Sequence, residues 1–398
     1  MSDSQQPVSW TAPRVRRAGP CGTLPRGRRS LQADSSAVDS RTFGAYILSN
    51  RFRKGENIRK KAPTIYDIAA RAQVSVSTAS RVLNGHATVN AELRARVEQA
   101  MQDLRFRPNR IAQTLYHHRS HTIGCILPDI GNPFFSQLFL QLEIGAFERG
   151  YTMILGNTVS TRDLERTYLR TLAERQVDGL LFLGGLANDA APDPADLHLV
   201  QDVAEHLPVV VVNGDLPGVP LAARVRSDEA GGMRDLLSLL RTSGHRDVAF
   251  LGGRADVTTT LEKLREFDAV HPAAPPHWRQ VTGLTIDAGR EAMTALLDGG
   301  GPRPTAAVCI NDLVAAGALA VARDRGVDVP GTLSLAGFDD VFVAQVVSPP
   351  LTSVNHNYGL LARTALDALL DSIDGSAEVR DVAVPTVIAE RASIRRLP

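Results

Sequence analysis

The chain has 398 residues, with 44 Lys and Arg against 43 Asp and Glu and 43% hydrophobic residues. That length suggests two to four domains of about 100–200 residues each, and that apolar content excludes a wholly disordered chain. No run approaches the roughly 18 apolar residues of a membrane span, and residues 1–30 carry Arg pairs without an apolar stretch behind them. Three scattered cysteines, Cys21, Cys125 and Cys309, make neither a disulfide framework nor a zinc site. The expected setting is the cytoplasm.

The net charge of +1 hides a gradient along the chain. Residues 1–62 hold 13 basic and 4 acidic side chains and residues 63–119 hold 8 and 4, so the remainder is acidic by 12 charges. A basic front on an acidic body is the electrostatic footprint of a chain whose one end meets phosphate. Residues 1–62, rich in Arg, Ser, Gly and Pro and without apolar periodicity, are expected to be a disordered extension. After Met1 the next methionine is Met101, inside a helix of the first folded domain. Two readings of the extension therefore stand: a functional basic arm, or a start placed too far upstream with the true start near Ile58.

Residues 63–107 read as a small helical module. Thr64 precedes Ile65 to Ala72 and Asp67 follows three residues on, the pattern of a capped helix start; Ile65, Ile68, Ala69 and Ala72 share one face. After a break at Gln73-Val74, Ser75 caps a second helix that Gly85 stops. Asn90 caps a third, whose Leu93, Val97, Met101 and Leu104 recur at one-turn spacing. Two short helices joined by a tight turn and closed by a third form a helix-turn-helix.

The residues are more specific than the pattern. Thr64-Ile65-Tyr66-Asp67-Ile68-Ala69 through Val74-Ser75-Val76-Ser77-Thr78-Ala79-Ser80-Arg81-Val82-Leu83-Asn84, then Arg107-Pro108-Asn109, resembles the headpiece of the lactose-repressor (LacI/GalR) family of bacterial transcription regulators. The resemblance runs through nearly all of residues 63–398. It departs at Gln73, where a glycine is usual and a side chain implies left-handed strain. It implies that the second helix enters the major groove of operator DNA, with Val76, Ser77 and Arg81 at base edges; Arg81 suits a bidentate contact to guanine. Tyr66, Thr78, Ser80 and Asn84 are phosphate contacts or packing, and Thr64 and Ser75 complete the headpiece set.

Residues 108–120 follow as a hinge. Pro108 suits a first helical turn, yet Pro108 to Leu115 is too short to persist alone in water. The resemblance implies a helix that orders on DNA beside its dimer mate, with Asn109 and Arg110 among the DNA-binding residues and Leu115 wedged into the minor groove. His117, His118 and His121 lack a neighbouring carboxylate or thiol in sequence and read as linker residues; no metal or cofactor is expected.

Residues 121–398 alternate apolar strands with amphipathic helices. Strands are expected at Thr122 to Leu127, Thr152 to Asn157, Gly179 to Leu183, Val209 to Asn213, Asp247 to Gly252, Ala306 to Ile310 and Leu333 to Phe338. Helices are expected at Phe134 to Arg149, Thr161 to Gln176 and Leu199 to His206, with the helix after Lys263 cut short by the Pro- and Ala-rich Asp268 to Gln280. The resemblance implies a two-lobed, periplasmic-binding-protein-like α/β core of doubly wound parallel sheets: an N-lobe of about 121–226 and 356–382 and a C-lobe of about 227–355 and 383–398. Its effector site lies between the lobes, at the strand ends. Asp339 and Asn311 are the leading candidates, followed by Asp129, Phe134, Phe135, Asn213, Thr259 and Thr285. Lys263 stands where an arginine is usual and offers a point charge instead of a planar fork.

The leading function is a dimeric, DNA-binding regulator, a repressor, that responds to a sugar or related metabolite. A transport receptor would need an export signal, and an enzyme would need a motif such as a P-loop or nucleophile elbow; neither appears in the sequence.

Overall fold

A computed structural model describes residues 63–83, 89–106, 119–375 and 379–398. Asn84, the basic extension, and the hinge with Asn109, Arg110, Leu115, His117 and His118 lie outside the described residues.

The headpiece holds α1 (Ile65–Ala72), α2 (Val76–Leu83) and α3 (Ala91–Asp103). Their inward faces meet in a core of Ile68, Ala69, Ala72, Ala79, Val82, Val97 and Ala100. A module of this size buries little apolar surface, so each contact matters; truncating fully buried Ile68 costs about 2–5 kcal/mol.

Two six-stranded sheets make up the rest. The N-lobe sheet contains β1 (Thr122–Leu127), β2 (Thr152–Asn157), β3 (Gly179–Leu183), β4 (Val209–Val212), β5 (Ala223–Ser227) and β11 (Arg380–Val384), in the order β11-β5-β4-β3-β1-β2. Every pairing in it is parallel. Helices cover both faces, which is why β3 and β4 are continuous apolar runs without polar alternation. α4 (Pro133–Glu148) and α12 (Tyr358–Ile373) pack on one face through Leu138, Leu142, Leu361 and Leu366. α5 (Arg162–Glu174) and α6 (Pro194–Ala204) contribute Leu169, Leu172, Val200 and Val203 to a second cluster.

The C-lobe sheet contains β6 (Val248–Leu251), β7 (Arg279–Gln280), β8 (Ala306–Cys309), β9 (Ser334–Asp339), β10 (Thr352–Asn355) and β12 (Val387–Ala389), in the order β12-β10-β9-β8-β6-β7. Only β12 runs antiparallel. Around it lie α7 (Glu229–Thr242), α8 (Thr258–Val270), α9 (Ile286–Asp298), α10 (Asp312–Asp324) and the short α11 (Phe342–Val346). α9 and α10 meet backbone to backbone: a Cβ on Gly289 would come within 2.1 Å of the Val314 carbonyl oxygen, and one on Gly317 within 1.9 Å of that of Ile286.

The chain passes between lobes after Ser227, after Asn355 and between Val384 and Val387. Two helices differ from expectation. α6 begins at Pro194, five residues before Leu199, because Asp193 caps it by accepting from the Ala195 N–H at 2.9 Å. α8 continues two turns past Lys263 to Val270, held by Phe267, which is fully buried under Phe250; the proline-rich stretch forms a separate turn at Pro276–Trp278. Among the described residues, no helix is long and apolar enough to cross a membrane, and no group of three or more His, Cys, Asp or Glu could hold a metal ion.

Candidate DNA interface and effector cleft

Local capping sets the geometry of the headpiece. The Asp67 carboxylate accepts from the Thr64 N–H at 2.7 Å, and the Thr64 hydroxyl accepts in return from the Asp67 N–H, a reciprocal cap at the start of α1. Gln73 ends α1 in the left-handed region at φ 53°. Its strain is offset by the Arg96 guanidinium, which donates to the Ala72 and Gln73 carbonyls at 2.6 and 3.1 Å. Ser75 Oγ caps α2 by accepting from the Thr78 N–H at 3.1 Å and lies 2.8 Å from both the Ser77 and the Thr78 hydroxyls.

α2 turns Ala79 and Val82 into the core, which leaves Ser75, Val76, Ser77 and Arg81 outward. Tyr66 is exposed on α1; Thr64, Thr78 and Ser80 are half-buried. Arg71 pairs with Asp103 at 2.7 Å, whereas Arg81 has no carboxylate within ion-pair distance among the described residues. An exposed helix with an unpaired guanidinium between small hydroxyls can donate to base edges or phosphate without first breaking an internal contact.

Between the lobes lies a cavity of about 750 Å³, at the C-terminal ends of β1, β2 and β3 on one side and of β6 on the other. Of the residues singled out in the sequence, Asp129, Phe135 and Thr285 line it. Asp129 accepts from the Gly131 N–H at 2.8 Å, and Thr285 caps α9. Thr158, Arg162, Glu165, Asn188, Asp189, Arg254, Asp256 and Thr282 line it as well and were not anticipated. Arg162 bridges Glu165 at 2.9 Å and Asp189 at 2.5 Å, while Arg254 pairs with Asp256. Burial raises the Glu165 carboxyl above its usual range, opposed by Arg162.

The other candidates do not line this cavity. Asn213, Lys263, Phe134 and Asp339 belong to a buried polar knot at the crossings. Lys263 pairs with Glu229 at 2.6 Å, both side chains under a tenth exposed, and its ammonium lies 3.9 Å from the centre of the Phe338 ring. Asn213 Oδ1 accepts from the Ser227 N–H at 2.7 Å, and its amide donates to Ser227 Oγ at 3.0 Å and Glu229 at 3.4 Å. Ser227 Oγ is 2.6 Å from His356 Nδ1, and His356 Nε2 is 2.9 Å from the Asp339 carboxylate. The two ring nitrogens of His356 thus tie Ser227, at the first crossing, to Asp339, at the end of β9. Phe134, Phe338 and Tyr358 surround the imidazole at 4.8, 5.4 and 5.7 Å.

Asn311 caps α10, accepting from the Val314 N–H at 2.9 Å and donating to the Leu284 carbonyl at 3.0 Å. Thr259 sits in the first turn of α8 and Asp339 in the left-handed region at φ 92°. Next to Asn311, Asp312 is fully buried, and burial together with Asp339 drives its carboxyl well above the usual range.

Residues 64–109 match the lacI family of bacterial regulatory proteins, and residues 237–394 match a periplasmic binding protein-like domain. The transcriptional regulator DegA of Bacillus subtilis is 32% identical over 296 residues, covering 73% of this chain and 86% of the relative. The transcriptional repressor PurR of Aliivibrio fischeri is 30% identical, covering 84% and 99%. This chain belongs to the LacI family. The lac repressor dimer bound to operator and the anti-inducer ONPF superposes with a TM-score of 0.74 at 25% identity, over 84% of this chain and all of that one. A complex of the regulator CelR with cellobiose gives 0.61 at 29% identity, over 83% and 99%. The chain is accordingly a DNA-binding transcriptional regulator with a helix-turn-helix headpiece on a two-lobed α/β core.

The cavity residues that the sequence reading missed carried a signal. Doubly wound sheets bind ligands just past strand ends, and Arg162, Asn188 and Arg254 all fall there, after β2, β3 and β6. Charged or polar loop residues of this kind look like ordinary surface, and only the approach of the second lobe turns that surface into a cavity wall.

Proposed function

We propose that this regulator is a repressor, acting in the cytoplasm as a homodimer, whose operator affinity is set by a neutral, hydroxyl-rich molecule such as a sugar held between the lobes. Arg81, Ser77 and Val76 read bases, while Tyr66, Thr78 and Ser80 hold the backbone. Asp129, Thr285 and Phe135 contact the effector together with Thr158, Asn188 and Thr282. Asn213, Lys263 and Asp339 act through the knot that joins the lobes.

The observation that carries the effector class is the charge of the cavity wall. Both of its arginines are already neutralised by carboxylates of their own lobes, and Asp129 adds a carboxylate with no cation within ion-pair distance among the described residues. An anionic ligand would meet a net negative wall, whereas hydroxyls find both donors and acceptors. The cellobiose bound to the CelR neighbour supports a sugar. The relatives are regulators, which supports binding without turnover.

Operator titrations by fluorescence anisotropy test this reading, with a panel of neutral mono- and disaccharides set against their phosphorylated and uronic counterparts. A neutral member should change operator affinity by about 5- to 150-fold, a coupling of about 1–3 kcal/mol. A response confined to the anionic members would refute it.

A further inference from the structure

The lobes are also joined away from their crossings. β5 and β11 lie at one edge of the N-lobe sheet and β10 and β12 at one edge of the C-lobe sheet; the segments after β3 and β6, toward the opposite edges, meet directly. Asp189 and Val257 form an isolated antiparallel β-bridge, and the Ala190 N–H donates to the Asp256 carbonyl at 2.9 Å. Asp189, Asp256 and Val257 all line the cavity.

The N-lobe half of this bridge is built around one guanidinium. Arg162 donates to Glu165 and, from its other terminal nitrogen, to Asp189. Glu165 accepts in turn from the Leu186 N–H at 3.2 Å, inside the single 3-10 turn Gly185–Asn188. Gly185 has φ 61°, and a Cβ there would lie 2.1 Å from Glu165 Oε2, so the turn folds directly onto the carboxylate. Asp189 also accepts from the Ala191 N–H at 3.0 Å, which fixes the two residues that reach across. The C-lobe half is held by its own contacts, the Arg254–Asp256 pair and the Arg254 N–H donated to Thr260 Oγ1 at 3.2 Å.

We propose that residues 185–190 form a strap across the mouth of the effector cavity, that the strap parts to admit and release ligand, and that Arg162 is the positioning residue that holds it closed. The inference rests on the cavity being the effector site, but the closure itself is measurable with no effector present. Backbone pairing gives the strap a defined closed geometry. The small number of bonds across the lobes makes it the part of the cleft that opens at least cost. The two carboxylates on Arg162 make that cost depend on one side chain.

The test uses the full chain in a Cys21→Ser background, in which the described native thiols, Cys125 and Cys309, are buried. Ala190→Cys with Asp256→Cys faces two thiols across the bridge, within the reach of a disulfide if the strap closes in solution. Oxidation should link them quickly and completely. Adding Arg162→Met should slow the linkage by about tenfold or more, the effect of losing about one charge-assisted hydrogen bond. Separately, Thr158→Cys places a thiol on the buried cavity wall. Its maleimide labelling should quicken about tenfold with Arg162→Met, and equally with Asp189→Asn, which breaks the same contact from the other side. No disulfide in the folded protein, or labelling that Arg162→Met leaves unchanged, would overturn the strap. So would a rise that tracks a fall in melting temperature and is absent from Asp189→Asn, because Arg162 would then be only a stabilising residue. Failure of every sugar to alter operator binding would count against the effector reading and leave these rates unaffected.

Discussion

Lys263→Met isolates the energetics of the knot at the crossings. In the folded chain Lys263 and Glu229 are 2.6 Å apart with side chains 5% and 8% exposed, and the other polar contact to Glu229 in the knot is the Asn213 amide at 3.4 Å. Methionine retains most of the apolar stem but removes the ammonium, leaving a carboxylate buried with one weak donor. Breaking a buried pair from one side costs about 3–5 kcal/mol, mainly the desolvation of the charge left behind. The ammonium lost from above Phe338 contributes to the same total, by up to about 2 kcal/mol in a desolvated setting. At roughly 2–4 °C per kcal/mol for a domain of this size, the melting transition of the core should fall by roughly 6–20 °C. Glu229→Gln/Lys263→Met removes both charges and should recover most of that loss, to within about 1–2 kcal/mol of the parent. Calorimetry or urea unfolding of the full chain reads both variants. A single variant that loses less than about 1 kcal/mol, or a double variant no more stable than the single, would refute a buried, mutually dependent pair.

Three further outcomes are expected. Arg81→Ala should weaken specific operator binding by about 1–3 kcal/mol while sparing much of the non-specific affinity; gel shifts in which both fall equally would reassign Arg81 to phosphate. On α4, Leu140, Ile144 and Phe147 form an exposed stripe at one-turn spacing, with Phe147 79% exposed. If the dimer covers this stripe, Phe147→Asp should shift light-scattering mass from dimer toward monomer and weaken operator binding without changing the far-ultraviolet spectrum. Burial lowers the proton affinity of His245, between Thr305 and the Arg395 carbonyl, and of His271. The unfolded chain then takes up protons first, so the stability from keeping these groups neutral is present above about pH 6.5 and is lost as the pH falls below it. Melting temperatures from pH 7.5 to 5 should decline less in His245→Gln than in the parent; parallel curves would remove His245 from the effect.

Much of the architecture followed from local chemistry alone. Thr64 and Asp67 cap α1, Ser75 caps α2 and Asn90 caps α3 because capping depends on residues within one turn of each other. β1 and β3 fell on the expected residues because strands buried on both faces must be unbroken apolar runs, and the half-buried edge strand β2 did so through Met153-Ile154-Leu155. α6 did not, since its start is marked only by the Asp193 cap and by Pro194 at the first helical position. The family, too, was legible in contiguous strings of the headpiece. The cleft was legible only in part. Sequence placed polar groups at strand ends without revealing which neighbours would consume them. Lys263 is paired with Glu229 and Asp339 is bonded to His356, partners distant in sequence, while Asn311 is consumed by the Val314 N–H of its own helix and by the distant Leu284 carbonyl. Arg162 and Arg254 became cavity walls because a second sheet stands opposite them. A side chain's chemistry is fixed by its identity, but its availability to a ligand depends on what folding brings within about 3 Å of it, the range of a hydrogen bond, and that only the tertiary structure decides.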